Sequence, residues 1–437
     1  MLAWKAASSF IWLALFLMAF PKSILVVGSG GREHALVKSL LASPANPRVI
    51  CAPGNAGIAD EVPCFPDIAA DNIDGLVELA RSEGIDFVVV GPEVPLSLGL
   101  VDALAAESIP AYGPKADGAR LEASKIHTKE LLNKYRIPTA ASATFDNAAD
   151  ANAYIRARPA PIVVKADGLA AGKGVNICES IEDAQKTILD FMDKAVFGAS
   201  GSKVVIEEFL QGKEASIIAF VDGNTYKTLP VSRDHKRLLN GNRGPNTGGM
   251  GVYSPVADIT AEDLDFVKKN VFDNVLRGLK AENIDYCGFL YAGIMKGSSG
   301  IHVLEFNTRS GDPETQTILP LLKTDLLEII LACTDKKLKD IDIQTAAGAA
   351  ACVILAGGDY PQSSSKGLEI TGLNEVKDAL VFHAGTKLEN GKFFTNGGRV
   401  LSVVGLGADI KAARNKVYAE IKKIHFDGMQ YRRDIGE

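Results

Sequence analysis

From Ser23 onward the chain alternates short apolar runs with glycine turns and with stretches whose apolar residues recur at helical spacing. Ile24 to Val27, a turn over Gly28 to Gly31, and Glu33 to Leu41 read as strand, turn and helix. Val49 to Ala52 and Phe87 to Val90 repeat the short buried strand, with helical stretches such as Ile73 to Glu83 between them, and this alternation predicts a parallel α/β sheet ending near Ser124. The pattern then changes. A helix is expected from Lys125 to Tyr135, with strands at Ile162 to Lys165 and Lys203 to Glu207 around a glycine-rich hairpin. Ala215 to Val221, Gly288 to Met295 and His302 to Phe306 suggest an antiparallel sheet, and Ala261 to Ala281 and Leu321 to Ala332 read as helices. Beyond the polar stretch Lys336 to Gln344, strands at Ala347 to Leu355 and Arg399 to Gly405 precede a helix from Ile410 to Ile424.

With 437 residues the chain exceeds what one hydrophobic core holds, so several domains are expected. The reading is an apolar extension over 1–22, an α/β domain over 23–124, a mixed α+β domain over 125–338 with a lid at about 148–211, and a C-terminal mixed α/β domain over 345–437. Lys plus Arg at 47 against Asp plus Glu at 53 leaves a net charge of −6, which favours neither nucleic-acid nor anionic-membrane partners. The six cysteines form no C-x-x-C pair and no zinc-like spacing, so reduced thiols in a cytoplasmic protein are expected. Only the apolar run Phe10 to Phe20 disagrees, leaving an organellar or membrane-tethered form open. It is shorter than the ~20 apolar residues of a bilayer span, and Met18-Ala19-Phe20 offers no small-x-small cleavage site.

Two glycine-rich segments carry candidate chemistry. Gly28-Ser29-Gly30-Gly31-Arg32-Glu33 follows a strand and opens a helix, but Glu33 occupies the third glycine position of a dinucleotide fingerprint. A sugar phosphate at the helix N-terminus fits better than a dinucleotide. Lys165 to Val175 contains Gly168, Gly172, Lys173 and Gly174, with three residues between the flanking glycines and no Ser or Thr after Lys173, so it is not a Walker A loop. Between two strands it can fold over polyphosphate while Lys165 and Lys173 neutralise charge. The strand leading into Glu207-Glu208-Phe209-Leu210 can offer an adenine edge its backbone while Glu214 reaches a ribose. Glu305 and Asn307 alternate onto one strand face, where two hard oxygens suit magnesium carrying phosphates.

In this order the stretches VVGSGGREHAL, APGNAG, VVGPEVPL, KADGLAAGKGV, IEEFLQGKEAS, DHKR, GPNTGGMG, GFLYAG, LEFNTRSGDPETQ, FHAGT and TNGGRV resemble the ATP-grasp family and, within it, the glycinamide ribonucleotide synthetases, from about Ser23 to Glu437. The resemblance implies an N-terminal substrate domain, a central ATP-grasp domain with a lid, and a C-terminal domain completing the cleft. It also implies ligation of glycine to 5-phosphoribosylamine with ATP as co-substrate and Mg2+ or Mn2+ as cofactor, by a monomer or weak dimer. By the same resemblance Lys125, Lys165 and the loop of Gly172, Lys173 and Gly174 would hold phosphates, with Glu207, Phe209, Leu210 and Glu214 around the adenosine and Glu305 and Asn307 on the metal. Arg309 and Asp234 join Lys165 as catalytic candidates: Arg309 would meet phosphoryl oxygens or the glycine carboxylate, itself held by Asp312. Gly30, Gly31, Arg32, Asn55, Gly57, Pro92 and Glu93 would bind phosphoribosylamine, and Asn246, Thr247 and Gly248 would line the junction of glycine and nucleotide.

The chain departs from the family pattern at Thr308 and Ser310, where Cys and Phe are commoner, and Gly288 to Met295 supplies no second metal carboxylate. His34 and His235 read as structural. Another ATP-grasp carboxylate–amine ligase is disfavoured by APGNAG, VVGPE and GPNTGGMG, an NAD-dependent oxidoreductase by Glu33, and a non-catalytic nucleotide binder by the presence of Lys165, Glu305, Asn307 and Arg309.

Overall fold

The computed structural model describes residues 20–170 and 174–437, so nearly all of the apolar stretch from Phe10 and the loop residues Gly172 and Lys173 lie outside the described residues. Four parallel strands form the first sheet, in the order Arg48–Pro53, Ser23–Gly28, Phe87–Val90, Ala111–Tyr112. Their residues are almost all buried, as expected of a sheet covered on both faces by crossover helices. Ser124 accepts a hydrogen bond from the His127 N–H and so starts the helix Lys125–Lys134 as the first domain ends.

The central segment builds two antiparallel sheets. One, in the order Ser142–Phe145, Val204–Glu208, Ile162–Ala166, Val175–Cys178, packs its own apolar cluster around Ile155, Val164, Phe191 and Ile206. The other, in the order Tyr226–Thr228, Lys213–Val221, Gly288–Gly297, Gly300–Asn307, packs on the helical segments between Ala261 and Ala281. Helical structure there includes a π turn at Lys268–Phe272. The helix expected from Leu321 instead begins at Leu326. Leu319–Leu321 is a separate 3-10 turn, and the Asp325 carboxylate caps the Leu327 N–H, which sets the start five residues beyond the expected one.

One pairing crosses the expected domain division. Arg233–Asp234 and Gly251–Ser254 join a sheet with Ala349–Ala356, Arg399–Gly407 and Leu380–His383. The intervening DHKR and GPNTGGMG stretches are therefore anchored to the C-terminal strands and project from that sheet into the cleft. A single apolar cluster runs from Ile24 and Leu36 through Phe220 and Ile330 to Cys352 and Val404, joining the N-terminal, central and C-terminal parts, whereas the lid cluster stands apart. Among the described residues no helix is long and apolar enough to cross a membrane.

Candidate active site

Charged side chains of the sheet that carries Ile162–Ala166 reach the edge strand Gly300–Asn307 of the central sheet. Lys165, buried near the end of its strand, donates from Nζ to the Leu304 carbonyl at 3.1 Å and pairs with Glu207 Oε2 at 2.9 Å. Lys125 Nζ donates to the Gly168 carbonyl at 3.0 Å, and burial lowers its pKa despite the nearby Glu305. Gly174 accepts a hydrogen bond from Ala166 N–H and closes the hairpin. Phe209 and Leu210 leave the lid strand half-buried. Glu207 was expected beside the adenosine; its carboxylate is buried between Lys165 and Lys129, a lysine that sequence reasoning did not single out.

Glu305 faces Gly293 across the strand pair, and Asn307 faces Tyr291. Lys236 Nζ lies 3.1 Å from Glu305 Oε1 and 3.3 Å from Glu214 Oε2. Lys236 holds the Glu305 carboxyl at about 2 in spite of burial, with Lys165 and Lys125 adding to the effect, so it is fully ionised at neutral pH. Asn307 Oδ1 accepts a long 3.5 Å hydrogen bond from the Arg309 guanidinium. An ionised carboxylate and an amide oxygen on one face, opposite a glycine with no side chain, fit a magnesium-like cation. Among the described residues no three His, Cys, Asp or Glu side chains gather as a metal cage, so phosphate and water oxygens would have to complete the shell.

Arg309 is held differently from expectation. Its Nε lies 2.8 Å from Glu93 Oε2, an ion pair without an aligned hydrogen bond, and a terminal nitrogen lies 3.0 Å from Glu122 Oε1. Asp312 pairs instead with Arg399 at 2.9 Å and accepts from the Gln316 amide at 2.7 Å. The physical reason is reach across domains: Glu93 and Glu122 belong to the first domain, and Arg399 arrives from a C-terminal strand. Burial raises the Glu122 pKa, with Arg309 opposing.

The first helix N-terminus also differs. Gly30 N–H donates to Glu33 Oε2 at 2.6 Å, so the residue that breaks the dinucleotide fingerprint takes this donor itself. A Cβ on Gly28 or Gly91 would strike the same Glu33 side chain, and one on Gly31 would meet the Gln316 amide. Buried Arg32 pairs with Glu33 Oε1 and donates to the Ser310 carbonyl at 3.2 Å. Asn55 caps the turn containing Gly57 and donates to the Ser29 and His383 carbonyls, both at 2.8 Å. Pro92 precedes the short helix that carries Glu93. His34 accepts from His383 N–H and contacts Glu61, and His235 contacts the Gly251 carbonyl.

Asp234 lies at the foot of the projecting hairpin. Burial, then Glu314, raise its carboxyl well above the usual range while Lys236 opposes them, and among the described residues its Oδ1 has no hydrogen-bond partner. Thr247 donates to the Lys236 carbonyl at 2.8 Å, and Gly248 N–H donates to the Tyr360 hydroxyl at 2.9 Å. Asn246, Arg237, Asn176 and Lys186 line a cleft of about 550 Å³ between the hairpin and the lid. Of the groups missed, Arg399 lies in TNGGRV, a legible motif; Glu122 and Lys129 resembled ordinary helix charges and carried no signal.

The Glu93 pair has a pH signature. Burial alone would raise its pKa, but the Arg309 and Arg32 guanidiniums hold it at about 2 against an ordinary 4.5. A depressed carboxyl adds stability above the unfolded value and loses it as pH falls through the folded one. Glu93→Gln is expected to lower the melting temperature at pH 7, with the gap to wild type narrowing as pH falls from about 5 to about 2. Identical melting curves at pH 7 would mean that the pair adds no stability.

Models of the phosphoribosylglycinamide synthetase N, ATP-grasp (A) and C domains match residues 22–122, 123–315 and 350–437. A phosphoribosylamine–glycine ligase of Clostridium acetobutylicum is 44% identical over 95% of this chain and 99% of its own length. One from a Nostoc species is 48% identical over 94% and 98%. The crystal structure of the Thermotoga maritima phosphoribosylamine–glycine ligase superposes with a TM-score of 0.81 at 34% identity, covering 94% of this chain and 99% of that one. The biotin carboxylase domain of Hydrogenobacter thermophilus 2-oxoglutarate carboxylase, solved with MgADP, shares the fold at a TM-score of 0.72 and 14% identity, covering 94% and 92%. With three consecutive domain models matched and such identity along almost its whole length, the chain belongs to the phosphoribosylglycinamide synthetase family.

Proposed function

We propose that this protein joins glycine to 5-phosphoribosylamine at the expense of ATP, giving glycinamide ribonucleotide, ADP and phosphate, a step of purine biosynthesis. The observation that carries the reading is the convergence of Lys236, Lys165 and Lys125 on Glu305, with Arg309 four residues along the chain, in a cleft built by a member of this family. A carboxylate resists nucleophilic attack because its charge is delocalised. Transfer of the ATP terminal phosphoryl group to a glycine carboxylate oxygen releases ADP and gives glycyl phosphate. The sugar amine then attacks the carbonyl, phosphate leaves, and the nitrogen gives up a proton.

No protein nucleophile is needed, so the chain's work is positioning and charge. Lys125 and Lys165 would hold phosphates, with Gly172, Lys173 and Gly174 completing the flap. Phe209, Leu210 and Glu214 would hold the adenosine together with the backbone of Glu207, whose carboxylate is engaged by Lys129 and Lys165. Glu305 and Asn307 would hold Mg2+ or Mn2+, which would offset phosphate charge. Arg309 would face the transferring oxygens or the glycine carboxylate. Asp234, with its raised pKa, is suited to accept the amine proton. Gly30, Gly31, Arg32, Asn55, Gly57, Pro92 and Glu93 would bind the sugar phosphate, and Asn246, Thr247 and Gly248 would line the junction of glycine and nucleotide. The proposed division is 23–124, 125–338 with its lid, and 345–437. All six cysteines are free, which suits a cytoplasmic protein, and a monomer or weak dimer is proposed.

The test is ADP release from ATP, magnesium, glycine and freshly made phosphoribosylamine. Release that requires both glycine and the amine supports the reading, and release with a different acid or amine only would overturn it. Arg32→Ala is expected to raise KM for phosphoribosylamine roughly tenfold through loss of a charge-assisted contact, with KM for ATP little changed. An equal rise in both would remove Arg32 from the sugar-phosphate site.

A further inference from the structure

Beside the cleft lies a buried triad of which the motifs contain Lys165 and Glu207 but not Lys129. Lys129, on the helix Lys125–Lys134, and Lys165, on the lid strand Ile162–Ala166, approach opposite oxygens of Glu207, at 3.2 Å from Oε1 and 2.9 Å from Oε2. All three side chains are less than a tenth exposed. Lys129 acts on Glu207 through charge, because its hydrogen bonds go to Thr139 Oγ1 at 2.6 Å and the Ala140 carbonyl at 3.3 Å. Thr139 Oγ1 donates in turn to the Val303 carbonyl at 2.8 Å, while Lys165 bonds the next carbonyl, that of Leu304. Both lysines therefore register the lid against the strand that carries Glu305 and Asn307.

Glu207 alone would neutralise Lys165. A second ammonium on the same carboxylate leaves the triad with one net positive charge at the phosphate side of the cleft. Resting on the nucleotide-binding reading above, we propose that Lys129 is a positioning residue: by sharing Glu207 with Lys165 it keeps the Lys165 ammonium available to nucleotide phosphates. Lys129 itself, pointed at Thr139 and Ala140, touches no substrate.

The experiment is calorimetric titration of the full chain with magnesium and ADP, together with KM values for ATP and glycine. Lys129→Met is expected to weaken ADP about tenfold and to raise KM for ATP without raising KM for glycine. Lys129→Arg restores most of the affinity. In the double variant K129M/E207Q the Lys165 ammonium keeps its charge with no carboxylate beside it, and ADP binding within about threefold of wild type is expected. A folded K129M with wild-type ADP affinity overturns the proposal. So does a folded double variant weakened as much as K129M, which would reduce Lys129 to packing; if K129M does not fold, a tenfold loss in the double variant decides against it. Wild-type protein that binds no ADP would instead overturn the nucleotide-binding reading.

Discussion

Glu305→Gln is expected to lower kcat by about three orders of magnitude, a barrier increase of ~4 kcal/mol, in a protein that remains folded. The substitution keeps the side chain's shape and removes the charge that Lys236, Lys165 and Lys125 surround. Those lysines then repel one another with less compensation, which costs on the order of 2 kcal/mol of stability. That loss leaves most molecules folded at 25 °C, so it cannot account for the fall in rate. Glycine-dependent ADP release, measured beside a urea unfolding curve, separates the two effects. Turnover close to wild type in folded Glu305→Gln would remove the metal assignment.

Arg309→Met combines a large stability effect with a large activity effect. The guanidinium neutralises two carboxylates from the first domain, Glu93 and Glu122, and removing one partner of such a buried pair costs about 3–5 kcal/mol because the charge left behind is uncompensated. Protonation of Glu122 moderates that cost, since burial already raises its pKa. The variant E93Q/E122Q/R309M removes the stranded charges and should recover most of the unfolding midpoint. It should not recover turnover, which stays reduced by at least about a hundredfold if Arg309 meets the reacting oxygens. Recovery of both would make Arg309 a domain clamp and no more.

The two variants differ in what the sequence disclosed. Glu305 and Asn307 were legible because strand alternation places them on one face whatever the sheet's surroundings. Arg309 was legible as a candidate, but its partners were not: Glu93 and Glu122 lie far from it in the chain, and Asp312, the nearer carboxylate, was taken by Arg399. Lys129 illustrates the same limit. On a helix of mixed polarity it reads as a solvent charge until folding buries it against Glu207. Glu33 shows a local rule at work, since its place in the glycine motif disfavoured a dinucleotide and its carboxylate then took the Gly30 N–H.

The sequence by itself determined the strand and helix order, the parallel first sheet, the antiparallel centre and the family, because periodicity, turn residues and motif spacing are properties of neighbouring residues. Tertiary structure alone decided that Arg233–Asp234 and Gly251–Ser254 join the C-terminal sheet, that two first-domain carboxylates hold Arg309, and that two lysines share Glu207. These are pairings between segments far apart in the chain. Strand hydrogen bonding and buried charge compensation do not depend on sequence distance, so nothing in the local pattern selects one distant partner over another.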